Sequence, residues 1–163
     1  MSAPRRLAIG LGVGGLVPFV ALAACVRLDA ATLSALFAGT PLGPGFAVVG
    51  QLQHMLSVYA VAILSFVGAL HWGFVLAAPE RVEGQASRGL VWSVMPALYG
   101  WIVVSLIDLP RAFGWLAAGF AFAFAADVVL YPRYAGVPAW FVRLRLLLSV
   151  VAALALATAF TAA

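Results

Sequence analysis

The sequence has few charged residues and a single cysteine, and each shortage excludes a class of protein. Only 9% of the 163 residues are charged and 66% are hydrophobic, whereas a soluble domain has about a quarter charged and about half apolar residues. Such a small polar surface excludes a soluble globule, and the high apolar content excludes intrinsic disorder. Cys25 has no partner for a disulfide within the chain, which excludes an extracellular disulfide scaffold.

Lysine is also absent, so nine arginines carry all the positive charge behind the net charge of +4. These arginines occur singly or in pairs between long apolar runs. That pattern is typical of charged loops flanking membrane spans and not of a basic surface patch. The sequence therefore predicts no nucleic-acid partner and indicates a single-domain integral membrane protein in contact with membrane lipids.

Five apolar stretches are long enough to cross a bilayer as helices. A hydrocarbon core of ~30 Å requires about 20 helical residues. The predicted spans are Leu7–Val26, Met55–Ala77, Gly89–Ile107, Ala112–Tyr131 and Leu144–Thr161. The sequence thus predicts an all-α integral membrane bundle of five transmembrane helices. In the first loop, the apolar stretch Ala30–Phe37 favours a short interfacial helix, and Pro18 and Pro96 permit kinks in the first and third spans.

The distribution of arginines predicts the orientation of the bundle. Seven of the nine fall on the side that holds the N-terminus and the second and fourth loops, and only Arg27 and Arg111 fall on the other side. Cytoplasmic loops carry an excess of arginine and lysine. We therefore expect a cytoplasmic N-terminus and an external C-terminus.

Cys25 has two interpretations. The residues Leu22-Ala23-Ala24-Cys25 match the cleavage box of a bacterial lipoprotein, and a basic start and an apolar run precede them. Cleavage there would remove the first span and leave a lipidated Cys25 outside. The glycines and Pro18 of the run instead favour a packed span, in which Cys25 is a small buried residue.

Polar residues within the spans are candidates for function because ionisable groups are costly in a membrane. The antiparallel order of the spans places several polar and aromatic residues at one depth in the cytoplasmic third. They are His71, Trp72, Trp92, Ser93, Asp127, Trp140, Arg143 and Arg145. His71 and Asp127 lie on helical stripes of small residues, which should face the bundle. We expect Asp127 to pair with Arg143 or Arg145, and His71 to add a hydrogen bond or a proton-accepting nitrogen.

This polar set can be a structural lock, a site for a ligand or lipid headgroup, or a catalytic centre. No nucleophile with an attendant base is visible, which argues against the third interpretation. His54 and His71 are seventeen residues apart on one predicted helix, or ~25 Å, so they cannot bind the same metal or haem within a chain. Haem bound through His71 alone, or between two chains, stays open, whereas a zinc site lacks ligands. The three tryptophans of the set also fit an aromatic belt at the inner membrane surface.

Several motifs resemble a known family. The segments Leu11–Phe19, Ile63–Gly73 and Val137–Ser149, with Ser93-Val94-Met95-Pro96 and Asp127, look like the bacterial and mitochondrial family typified by transmembrane protein 69. The resemblance implies a small multi-span protein of bacterial or mitochondrial inner membranes and implies no reaction. For this chain we expect the bacterial inner (cytoplasmic) membrane. The polar motif residues of the family would map onto Ser65, His71, Trp72, Asp127, Trp140 and Arg145.

A more limited likeness connects the chain with the tryptophan-rich sensory and translocator proteins. Tyr131, Pro138 and Trp140 are similar to their loop motif of tyrosine followed by proline-x-tryptophan. The likeness implies binding of a tetrapyrrole or a sterol-like ligand within a five-span bundle. It is an analogy at the level of fold and motif.

Three functions follow from these observations. The first is a non-enzymatic accessory or assembly partner of a membrane complex, with self-association as one form of it. The second is binding of a lipid-soluble small molecule (a quinone, a tetrapyrrole or a lipid) in a pocket on the cytoplasmic side. The third is a proton-coupled carrier or intramembrane enzyme that uses His71 and Asp127.

Overall fold

The computed structural model of the chain describes residues 3–41, 45–77, 86–109, 111–133 and 137–161, and these contain helices and turns with no strand. The elements are α1 (Ala3–Gly14), α2 (Val17–Val26), α3 (Ala30–Leu36), α4 (Gly45–Ala77), α5 (Ala86–Leu106), α6 (Arg111–Leu130), a 3₁₀ turn (Tyr131–Arg133) and α7 (Ala139–Phe160). Within these described ranges, five segments are long and apolar enough to cross a membrane: α1 with α2, then α4, α5, α6 and α7. The prediction of an all-α, five-span membrane protein is confirmed, while the orientation of its termini stays a prediction.

Two helices begin five residues or more before the predicted spans. The bounds of α5 and α6 fall within three residues of the prediction, but α4 begins at Gly45 instead of Met55 and α7 begins at Ala139 instead of Leu144. The added segments contain polar residues such as His54 and Arg143. These residues interrupt the continuous apolar runs, although a helix that continues beyond the hydrocarbon core accommodates them.

The first span is broken between α1 and α2 at Gly15 and Leu16. Because Pro18 has no N–H, the carbonyl of Gly14 loses its helical donor. The neighbouring carbonyl of Gly15 accepts a hydrogen bond of 2.7 Å from the hydroxyl of Tyr59 on α4. Backbone groups inside a membrane need partners from the protein. The interruption expected near Pro18 is therefore present, and Tyr59 of α4 supplies a donor for one of the carbonyls at the break.

Tyr59→Phe should lower the free energy of unfolding by about 1–2 kcal/mol because it leaves the half-buried Gly15 carbonyl without its donor. Tyr99→Phe is the matched control. The Tyr99 hydroxyl donates to the Trp115 carbonyl, which also accepts the regular helical bond from Gly119 within α6. Equilibrium unfolding in mixed micelles measures both variants. Equal losses in the two variants would contradict this role of Tyr59.

The small-residue stripes face the interior as predicted. Every position of the two predicted stripes is buried: Ser57, Ala60, Leu64, Gly68 and His71 on α4, and Gly119, Ala123 and Asp127 on α6. At Gly68 an added Cβ would collide with the Ser93 carbonyl of α5 and lie 3.0 Å from Cδ of the buried Pro96. Glycine at this position therefore lets the backbones of α4 and α5 approach closely.

The remaining helices pack around α4 and α7. Helix α2 lies against both of them, α6 packs along α7, and α5 packs along α4. Helix α3 is capped by Asp29, whose carboxylate accepts bonds from the Thr32 hydroxyl and N–H, and these bonds lower the pKa of Asp29. By contrast, α1 buries none of its residues and leans on α7. The bundle is thus tightly packed on the α4–α5–α6–α7 side and loosely covered by α1.

Candidate functional site

Three helices bring His71, Asp127 and Arg145 together inside the bundle. Nε2 of His71 lies 2.9 Å from Oδ1 of Asp127, and Nε and Nη2 of Arg145 donate to Oδ2 of Asp127 over 3.1 and 2.5 Å. The exposed fractions of the three residues are 0%, 0% and 5%. We call these residues the buried polar triad.

Antiparallel packing explains how the triad assembles. His71 lies six residues before the end of α4, Asp127 three residues before the end of α6, and Arg145 six residues after the start of α7. At ~1.5 Å per residue, all three lie about 5 to 9 Å from the same end of the bundle. The level at which they meet follows from sequence position, but their contact depends on how each helix is rotated.

The hydrogen bonds define the electrostatics of the triad. A carboxylate only accepts hydrogen bonds, so Nε2 of His71 carries a hydrogen and its N–H donates a hydrogen bond to Asp127. Arg145 places two donors on the second carboxylate oxygen, a charge-assisted arrangement. The charges of Asp127 and Arg145 cancel. The triad therefore satisfies the buried carboxylate with partners from two other helices, as a structural lock does.

Tyr131 closes the triad on one side and was not among the residues predicted for the site. Its ring stacks on His71 with centroids 5.2 Å apart and planes 22° apart, and Phe74 and Phe141 meet it edge-on or tilted. Tyr131 comes four residues after Asp127, a spacing that puts both on one helical face. That spacing is the sequence signal that could have identified it.

Trp72 and Arg143 lie outside the triad. Trp72 is 49% exposed on α4, because a helix turns by about 100° per residue and the residue after His71 points elsewhere. Arg143 is exposed on α7 for the same reason, two positions from Arg145. Of the two arginines considered as partners for Asp127, the structure selects Arg145.

The predicted serines and the other two tryptophans make local or helix–helix contacts. Ser65 and Ser93 donate to carbonyls of their own helices. Trp92 packs edge-on against Phe122 of α6. The Arg5 guanidinium lies 5.3 Å above the Trp140 ring and connects α1 with α7. Together these contacts position the helices around the triad and add no polar group to it.

Cys25 and His71 are the residues predicted for lipidation and for haem coordination. Cys25 is a half-buried free thiol near the end of α2, and its lipidation stays a prediction. Nε2 of His71 is bonded to Asp127, so haem coordination through Nε2 would require that bond to open. Within the described ranges, no group of three His, Cys, Asp or Glu side chains is placed to hold a metal ion.

A cavity of about 340 Å³ lies beside the triad, between the broken first span, α4 and α7. Its walls are mostly apolar, and its two polar side chains are Arg145 and Ser149. The apolar walls include Leu11, Leu16, Phe19, Ile63, Phe66, Leu70, Phe120, Leu144 and Leu148. Leu11 and Phe66 are also more than half exposed, so the cavity opens sideways at the apolar face of the bundle.

Comparisons with known proteins agree with this architecture. The family model described as "Protein of unknown function (DUF3429)" matches residues 4–161. The chain is 31% identical over 157 residues to Transmembrane protein 69 of Xenopus tropicalis, covering 95% of this chain and 53% of that protein. It is 32% identical over 96 residues to Transmembrane protein 69 of Mus musculus, covering 58% and 37%.

The chain therefore spans about half or less of the length of these relatives. No solved structure matches it significantly. The resemblance inferred from the sequence motifs is confirmed by the family and relative matches.

Proposed function

The chain belongs to the DUF3429 family, whose function is unknown, and we propose that this multi-pass membrane protein binds a lipid-soluble small molecule in the cavity beside Arg145. The proposal selects the second of the three functions considered from the sequence. The arginine distribution would put this cavity in the cytoplasmic half of a bacterial inner membrane. Both that membrane and that orientation are parts of the proposal.

The cavity is the observation that carries this proposal. Ligand sites have volumes of about 300–1,000 Å³, apolar walls and a few polar groups that orient the ligand. The cavity here has a volume of about 340 Å³ and two polar side chains. Leu11 and Phe66 line the cavity and are more than half exposed on the apolar surface that lipid would cover, which suits a ligand that arrives from the bilayer.

The buried polar triad supports a non-enzymatic role. His71 and Asp127 are fully buried, and Nε2 of His71 is bonded to Oδ1 of Asp127. These two atoms are therefore not available to a substrate. General acid–base catalysis needs a group within hydrogen-bond reach of the reacting atom. A carrier or enzyme that used these two residues would first have to separate them, whereas a binder uses the triad as it stands.

Native mass spectrometry of protein released from its own membranes in mild detergent tests the proposal. We expect a bound mass on the natural chain and its loss in Leu148→Trp, because the larger ring would fill the cavity that Leu148 lines. Leu147→Trp is the matched control, since Leu147 is 50% exposed on the same helix. The control should retain the bound mass.

A bare natural chain, or an unchanged bound mass in Leu148→Trp, would contradict ligand binding in this cavity. If the natural chain carried no small-molecule mass but retained other protein subunits at fixed stoichiometry, the accessory-partner function would replace ligand binding as the proposal. Elution volume and melting temperature must match between the two tryptophan variants, so that a loss of ligand is not a loss of folding.

A further inference from the structure

Ser149 has a buried hydroxyl that no described residue satisfies. It lies at the middle of α7, is 4% exposed, and lines the cavity beside the triad. Its Oγ has no hydrogen-bond partner among the residues that the structure describes. In an apolar interior, a hydroxyl without a partner is unfavourable, so this group is placed to bond to something that the chain does not provide.

Other buried or half-buried serines of the bundle show that Ser149 is different. Ser57, Ser65 and Ser93 donate to carbonyls three or four residues earlier on their own helices, over 2.8, 2.7 and 2.6 Å. This back-bonding is the usual solution for serine within a helix. Ser149 has the Arg145 carbonyl one turn earlier, yet its hydroxyl does not use it. Ser149 instead lines the cavity, and its hydroxyl, unpaired among the described residues, is enclosed there.

Charge limits which ligand can reach this hydroxyl. Arg145 also lines the cavity, but its guanidinium is bonded to the Asp127 carboxylate, and their charges cancel. An anionic headgroup would therefore be buried without a counter-ion of its own, which is costly in a membrane interior. A neutral headgroup avoids this cost.

We propose that the cavity binds a neutral lipid whose polar end is a hydroxyl or carbonyl oxygen that hydrogen-bonds to Ser149. This inference rests on the proposed function and narrows it. The apolar walls contact the hydrocarbon part, and Ser149 fixes the position of the single polar end. Ligands with ionised carboxylates or phosphates, including carboxylated tetrapyrroles and anionic phospholipids, are disfavoured at this cavity.

A matched pair of photoreactive probes tests the inference. One is a long-chain alcohol that carries a diazirine, and the other is the sulfate ester of the same alcohol, which stays ionised. Both are added to the full chain in nanodiscs of neutral lipid, and crosslinks are mapped by mass spectrometry. We expect the alcohol to label the cavity-lining segment 141–152 at least about tenfold more than the sulfate.

Substitution of Ser149 distinguishes binding of the alcohol through the Ser149 hydroxyl from simple partitioning of the probe into the apolar cavity. Ser149→Ala should lower labelling by the alcohol about threefold to tenfold, the value of one neutral hydrogen bond, and Ser149→Thr should retain it. Ser65→Ala should have no effect, because Ser65 bonds to its own helix and does not line the cavity.

Each other outcome has a definite meaning. Equal labelling by the sulfate, or unchanged labelling of Ser149→Ala, would overturn the neutral-lipid inference and leave ligand binding intact. If both probes label only lipid-facing residues and Leu148→Trp changes nothing, the proposed function fails as well, and the inference fails with it.

Discussion

Asp127→Ala is expected to lower the free energy of unfolding by about 3–5 kcal/mol, because it leaves Arg145 as a buried charge without a counter-ion. His71 loses the acceptor of its Nε2–H in the same step. Both partners are almost completely buried, so water cannot replace the carboxylate without opening the bundle. Asp127→Asn should have a similar effect, since it keeps the shape of the side chain but removes its charge.

Equilibrium unfolding in mixed micelles measures this effect, with Asp108→Ala as the matched control. Asp108 is exposed in the turn between α5 and α6, and an exposed carboxylate contributes little to stability. A loss below about 1 kcal/mol for Asp127→Ala, or equal losses in the two variants, would show that the triad does not lock the bundle.

A double substitution sharpens this test. Asp127→Leu and Arg145→Met should each be strongly destabilising, but the two together should cost less than the sum, because an apolar pair leaves no buried charge. The difference isolates the ion pair from the loss of packing. Additive costs would mean that the pair is not coupled.

Gly68→Val should cost about 3 kcal/mol or more, since overpacking of a tight helix contact forces the backbones apart. Even the first added carbon would collide with the Ser93 carbonyl and crowd Pro96. Neither group can rotate away, because one is backbone and the other is a proline ring. The α4–α5 contact would have to separate, and the buried face of α5 would be disturbed with it.

Gly73→Val is the control for this prediction. Gly73 lies on the same helix, is exposed, and has no atom within 4 Å of an added Cβ. Its substitution should change stability by no more than about 0.5–1 kcal/mol. Thermal and denaturant unfolding of both variants in the same detergent gives the comparison. Equal stability of the two would contradict the close approach at Gly68.

Apolar runs and small-residue spacing were sufficient to predict the five spans and the inward faces of α4 and α6. They also placed His71, Asp127 and Arg145 at one level. They could not distinguish Arg145 from Arg143, because that choice depends on the rotation of α7 about its axis. For the same reason Trp72 was grouped with His71 although it points outward.

The cavity could not be predicted from sequence patterns, for a different reason. It exists because the first span breaks at Gly15 and Leu16 and α1 rests on α7 without burying a residue. The polar end of the cavity depends on the rotamer of Ser149, and a serine in an apolar run gives no signal of how it will point. The cavity becomes visible only when the first span, α4 and α7 are placed against one another.

The position of Arg145 late in the chain has a consequence for biosynthesis. Asp127 is translated 18 residues before Arg145, so at ~5–20 residues per second its carboxylate waits about 1 to 4 s for its counter-ion. During that interval α6 alone would carry an unpaired acid into lipid, which opposes insertion. If α6 and α7 leave the translocon together as a hairpin, Asp127 and Arg145 are already paired, and this cost is avoided. We therefore expect α7 to act as the insertion partner of α6.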